Sequence, residues 1–111
     1  MMKLKEFAKL LGTIGYPVAY NHFKKTESNP VPDPPYIVYL EEDSDNFGAD
    51  NKVWKKILNY RIEIYSDEKD LNLEKAIEDL LDSNDIYYET DESYIDQENL
   101  YMRIYYVTLI K

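Results

Sequence analysis

The sequence predicts an α+β fold: a mixed, mostly antiparallel sheet of about four to five strands, with two helices packed on one face and a proline-rich arm. Residues 58–65 alternate apolar and polar side chains, which is typical of a strand with one buried face. Two other stretches carry a single apolar stripe at helical spacing. The strand-like segments come in consecutive pairs, an order that favours antiparallel neighbours. The 111 residues fit one domain, residues 1–111.

The two helices are predicted at residues 2–11 and 70–82. The first is followed by Gly12 and Gly15, which are natural stop residues, and Asp67, Asp70 or Asn72 could cap the start of the second. Each has one apolar stripe and is therefore expected to cover one sheet face. The stripes consist of Leu4, Phe7, Ala8 and Leu11 in the first helix, and Leu73, Ala76, Ile77, Leu80 and Leu81 in the second.

Five strands are predicted, at residues 17–20, 36–41, 58–65, 86–90 and 100–109. The connection from the third strand through the second helix should be right-handed if the strands it joins are parallel. Three connecting segments are expected: the proline-rich arm at 26–35, an acidic, turn-rich loop at 42–51, and a polar connection at 91–99. In that last connection, only Tyr94 and Ile95 hint at extended structure.

Charge is distributed unevenly along the chain. The net charge is −9, which speaks against a surface that binds DNA or RNA through lysines and arginines. Residues 1–26 hold five lysines and one glutamate, whereas residues 82–98 hold seven acids and no base. This polarity is compatible with head-to-tail contact between copies of the chain. The alternative is that both segments are ordinary solvated faces.

Composition also bears on location. There is no cysteine, which excludes disulfides and thiolate metal sites and fits folding inside the cell. No apolar run approaches the ~18–20 residues of a membrane span. The lysines and glutamate among the first residues do not resemble a secretion signal. We therefore expect that the protein does not associate with a membrane. We also expect that it is assembled in the cytoplasm.

The sequence offers little catalytic chemistry. An EF-hand loop starting at Asp43 would fail at its fifth position, Phe47, and at its twelfth, Trp54. His22 is the single histidine, and no serine lies in a nucleophile-elbow context that could use it. Three glycines are too few for a phosphate-cradling loop. The sequence predicts that the protein is not an enzyme and has no cofactor or metal.

The last predicted strand contains several of the twelve tyrosines of the chain. Tyr101, Arg103 and Tyr105 lie on one face of this strand, and Met102, Ile104 and Tyr106 lie on the other. Both faces are substantially apolar or aromatic, and tyrosine suits interfaces as well as cores. Either one face meets another subunit, or helices and loops of the same chain cover both.

Four segments resemble, in their order and spacing, a family of small tail-completion, tail-terminator or head-tail joining proteins of siphophages and prophages of Gram-positive bacteria. They are residues 15–23 (GYPVAYNHF), 34–40 (PPYIVYL), 46–54 (NFGADNKVW) and 60–70 (YRIEIYSDEKD). The resemblance spans nearly the whole chain, and no single motif within it is diagnostic.

The resemblance implies a structural virion protein of the tail or neck, with no catalytic residues to transfer. Such proteins commonly form hexameric rings around the DNA channel and contact other tail or neck proteins, without sequence-specific nucleic-acid binding. A preorganised arm and opposite charges fit such a ring. The residues expected at subunit contacts are Pro30, Pro32, Pro34, Pro35, Phe47, Trp54, Tyr101, Arg103 and Tyr105.

Two other hypotheses remain. A small acidic phage-encoded module could mimic nucleic acid and inhibit a host factor, which the charge of −9 and the small size favour. The lysines near the N-terminus count mildly against this hypothesis. A hydrolase that uses His22 is a distant third.

Overall fold

The computed structural model describes residues 4–22, 31–44, 47–49, 52–55 and 57–110, which form two helices and seven strands. Their bounds, in chain order, are α1 (Leu4–Gly12), β1 (Val18–Tyr20), β2 (Tyr36–Ser44), β3 (Phe47–Ala49), β4 (Lys52–Lys55), β5 (Ile57–Ser66), α2 (Leu71–Ser83), β6 (Tyr87–Ile95) and β7 (Leu100–Ile110).

Five of these strands form one sheet with the order β1-β2-β5-β7-β6. Only β1 and β2 pair in parallel, and the other three pairings are antiparallel. The predicted α+β fold with a mixed, mostly antiparallel sheet is therefore confirmed. Because β5 and β6 are both antiparallel to β7, they run parallel to each other, and α2 forms the crossover between them. The remaining strands, β3 and β4, form a separate two-stranded ribbon.

Both helices pack on the same face of the sheet. Phe7 and Leu11 of α1 lie in one apolar cluster with Leu73, Ile77 and Leu81 of α2. The register pairs the sheet residues of this cluster directly across strands, so their side chains share a face. These sheet residues are Ile37, Tyr60, Ile62, Ile64, Tyr105, Val107 and Leu109. Burial of this apolar surface stabilises the fold.

The start of α2 is fixed by Asp70, one of the three candidate caps that the sequence offers. Its Oδ1 accepts a hydrogen bond from the backbone N–H of Leu73 at 3.0 Å and so satisfies one of the free donors of the first turn. The helix ends where Asn84 donates its backbone N–H to the carbonyl of Leu81 at 3.2 Å. Both ends fall within one or two residues of the predicted bounds.

We expect Asp70→Ala to lower the free energy of unfolding by about 1 kcal/mol, because the capping hydrogen bond is lost. Chemical denaturation followed by circular dichroism would measure it. Asp67→Ala is the matched control, since it removes the same charge from an exposed side chain close to the helix start. Equal losses in the two variants would show that Asp70 acts only through its charge.

Two of the predicted connections proved wrong in their described parts. The segment expected to be an acidic loop holds the end of β2 and all of β3. Pairing of β2 with β5 continues to Ser44 after a bulge between Glu41 and Asp43, and β3 pairs with β4. Most of the polar connection expected at 91–99 belongs to β6, which runs to Ile95. Cross-strand contacts with β7 stabilise it, such as the edge-to-face Tyr94–Tyr101 ring pair at 4.9 Å.

The described part of the proline-rich arm is residues 31–35, which lead directly into β2. Pro32, Pro34 and Pro35 are partly buried there, and the Pro34–Pro35 peptide bond is cis. Pro30 and the rest of the predicted arm lie outside the described residues.

Candidate assembly surfaces

Strand β6 forms one outer edge of the sheet and carries three acids, Glu89, Asp91 and Glu92, and no base. Most of its side chains are exposed. Together with two acids at the end of α2 they form what we call the acidic edge: Asp82, Asp85, Glu89, Asp91 and Glu92, all exposed. Charged side chains on an edge strand keep it from pairing with a like-charged edge. These five acids belong to the acidic segment at residues 82–98.

A single lysine joins the acidic edge to α2. Lys69 contacts Glu92 through its Nζ atom, and the same atom lies 2.9 Å from Glu74 Oε2. The hydrogen bond to Glu92, followed by the one to Glu74, raises the pKa of Lys69. Lys69 therefore offsets part of the charge of Glu92, and Glu89 and Asp91 remain as the outward-facing acids of the strand.

Beneath α2 lies the face of β7 that carries Arg103 and Tyr105. Tyr105 is fully buried, and its hydroxyl donates a hydrogen bond to Glu78 Oε2 at 2.8 Å. Burial raises the pKa of this hydroxyl. Arg103 is partly buried: its guanidinium carbon lies 5.5 Å from the centre of the Tyr105 ring, and its Nε lies 3.4 Å from Glu74 Oε1. Tyr105 is thus a core residue, with no exposed side chain to offer another subunit.

Residue Tyr101, on the same strand face, is partly buried against Tyr94 of β6. Of the three contact residues predicted on this strand, Tyr101 and Arg103 keep some exposed surface. Tyr105 is fully buried within the subunit and has no surface for such a contact. Which face of β7 would be internal could not be decided from the sequence, and the structure assigns the Tyr105 face to α2.

Helix α1, with two of the lysines from the basic start of the chain, lies toward the opposite side of the sheet. Phe7 of α1 packs on Tyr39 of β2 at 6.3 Å and on Tyr60 of β5 at 6.0 Å between ring centres. The side chains of Lys5 and Lys9 are exposed on the outer surface of this helix. The sheet order therefore separates these lysines from the acidic edge across the width of the domain.

The sheet face opposite the helices has a polar centre. Glu63, only 6% exposed, lies between Val38 and Ile104 in register. Tyr65 donates its hydroxyl to Glu63 Oε1 at 2.7 Å, and Arg61 Nε lies 2.8 Å from Glu63 Oε2 without a well-aligned hydrogen bond. Burial and the hydrogen bond to Glu63 raise the pKa of Tyr65. The buried carboxylate is thus compensated within the subunit.

An open cleft of about 290 Å³ lies beside this network. His22, Val31 and Tyr65 are among its described lining residues, which include no serine that could pair with the histidine as a nucleophile. His22 itself is exposed. The geometry gives the hydrolase hypothesis no support.

The ribbon formed by β3 and β4 is the tip of the hairpin that joins β2 to β5. Its register pairs Phe47 with Lys55, Gly48 with Val53, and Ala49 with Lys52. Two predicted contact residues, Phe47 and Trp54, belong to it. An isolated two-stranded ribbon is at best marginally stable in water, so this segment benefits from a further strand or surface to pack on.

Among the residues that the structure describes, no group of three or more histidine, aspartate or glutamate side chains could hold a metal ion. No helix within the described ranges is long and apolar enough to cross a membrane.

The fold and surfaces define a small α+β protein with an acidic edge on one side of its sheet and exposed lysines of α1 on the other. No protein-family model matches the chain. A search of the curated proteins also found no match.

Proposed function

We propose that this chain is a structural protein of a phage or prophage tail, acting in tail completion, tail termination or head-tail joining as a ring around the DNA channel. The observation that carries the proposal is that the acidic edge and the exposed lysines of α1 lie on opposite sides of one sheet. A closed ring requires a heterologous contact, in which one surface of each subunit meets a different surface of the next. The acidic edge supplies one such surface, and the basic segments of the chain supply the other.

The proposed role is non-catalytic and is carried out by surfaces. The resemblance of residues 15–70 to tail-completion and tail-terminator proteins supports it independently of the charge argument. Acidic side chains toward a channel would repel DNA phosphates and allow DNA to pass without sticking. The proposed location is the virion tail, after assembly in the host cytoplasm.

Light scattering of the purified protein, alone and with the tail-tube protein of the same genome, tests this proposal. We expect a complex whose mass contains several copies of the 13.2 kDa chain, and six copies would match a hexameric ring. Raising the salt concentration should weaken the contact, because exposed charges are screened. A chain that stays monomeric and never joins tail-tube protein would exclude the proposal.

The acidic edge also favours a second candidate, an acidic module that mimics nucleic acid and inhibits a host factor. Exposed carboxylates on a strand and an adjacent helix end can imitate a row of phosphates. A salt-sensitive pull-down of a DNA-binding host protein, together with no association with virion parts, would favour this candidate over the ring.

A further inference from the structure

The outer side of β6 is a free strand edge within the described part of the chain. The strand is nine residues long, pairs with β7 on one side, and ends the sheet on the other. An edge of this length presents unpaired backbone N–H and C=O groups that another strand can use. Its acids discourage pairing with a second copy of β6, so a suitable partner strand should be basic.

Among the described strands, β4 fits this requirement best. It carries two lysines and no acid over Lys52–Lys55, and Lys56 follows it directly in the sequence. The lysines enclose Val53 and Trp54, residue types that favour strands. The nearest preceding acids, Asp45 and Asp50, lie before the start of β4 in the sequence and are not part of the strand. The ribbon that contains β4 is outside the main sheet and has only two strands.

The partner should be a second copy of the chain. Strand β7 lies between β5 and β6, so a full strand separates the hairpin that carries the ribbon from β6 of the same molecule. Between two copies no such obstacle exists. The contact is heterologous, since the ribbon of one copy meets the edge of the next, and it can repeat around a ring.

On the basis of the proposed ring function, we propose that strand β4 of one subunit adds to the free edge of β6 in the next subunit. The contact brings the strand that contains Lys52 and Lys55 beside the strand that contains Glu89 and Asp91. The two sheets become continuous across the contact. The same arrangement places Phe47 and Trp54 of the ribbon at the subunit boundary.

A charge-exchange experiment tests this contact by sedimentation velocity of the full chain over a wide concentration range. The ribbon variant carries Lys52→Glu and Lys55→Glu, and the edge variant carries Glu89→Lys and Asp91→Lys. Glu92 is left intact because it contacts Lys69. Each variant alone should self-associate about ten-fold more weakly than the unmodified chain, since like charges then meet in every contact.

Mixing the ribbon variant with the edge variant should restore association, because every contact between unlike molecules then joins opposite charges. Circular dichroism confirms that each variant folds, and restoration by mixing also excludes a folding defect. The α1 control, Lys5→Glu with Lys9→Glu, reverses the same number of charges on the other basic surface, and it should weaken association less than the ribbon variant does.

Three outcomes would overturn the proposed contact. They are no restoration on mixing, a larger loss in the α1 control than in the ribbon variant, and no self-association of the unmodified chain at any concentration. In the second case, the proposed ring function would still hold, and α1 would be the basic surface that contacts the acidic edge. Whether the ring function itself fails is decided separately, by the binding of the unmodified chain to tail-tube protein.

Discussion

Replacing Phe7 by alanine is expected to lower the free energy of unfolding by about 3–5 kcal/mol. The ring is completely buried, and it bridges α1 to two neighbouring strands through Tyr39 and Tyr60. Its removal leaves a cavity under a short helix of nine residues, which depends on tertiary packing for its stability. Since domains of this size are stable by roughly 5–15 kcal/mol, the variant should be close to unfolding.

Urea denaturation followed by circular dichroism would measure the effect. Phe7→Leu is the conservative comparison and should retain most of the stability, because it keeps an apolar side chain in the core. Tyr87→Ala is the matched control, as its aromatic ring is 66% exposed on β6. Similar losses for Phe7→Ala and Tyr87→Ala would contradict the packing of α1 described above.

Replacing Arg61 by methionine is expected to lower the free energy of unfolding by about 2 kcal/mol. Among the residues that the structure describes, the buried Glu63 then keeps the hydroxyl of Tyr65 as its hydrogen-bond partner. Removing one member of a buried pair leaves an uncompensated charge, which costs more than removing both. The estimate stays moderate because the side chain of Arg61 is 31% exposed and its charge is partly screened by solvent.

The double variant Arg61→Met with Glu63→Met should be more stable than Arg61→Met alone. It removes the stranded carboxylate. It also places one apolar side chain between Val38 and Ile104, and another between Leu40 and Tyr106. Thermal denaturation of the two single variants and the double variant completes the cycle. A double variant less stable than either single one would show that Glu63 contributes to stability without Arg61.

The main elements of the fold could be predicted because their signals are local. The period-two alternation of β5 and the apolar stripes of α1 and α2 each lie within one segment, and all three are found within a few residues of the predicted bounds. The length of β6 could not be predicted in this way. Asp91, Glu92 and Ser93 disfavour strands on their own, and it is pairing with β7 at a solvated edge that holds them there.

The β3–β4 ribbon was missed for a similar reason. Its sequence is interrupted by residues that favour turns, such as Asp45, Asn46 and Gly48, and these predicted a loop. The charge asymmetry was visible in the sequence, but its arrangement in space was not. The acidic strand lies at an edge only because β7, the last strand of the chain, inserts between β5 and β6.

Electron microscopy of tail tubes incubated with the purified protein tests the central claim most directly. The tubes would be assembled from the tail-tube protein of the same genome. The proposed function predicts a closed ring of several copies at one end of each tube, and reduced occupancy with the edge variant Glu89→Lys with Asp91→Lys. Bare tube ends at saturating protein, with the chain remaining monomeric in solution, would contradict it.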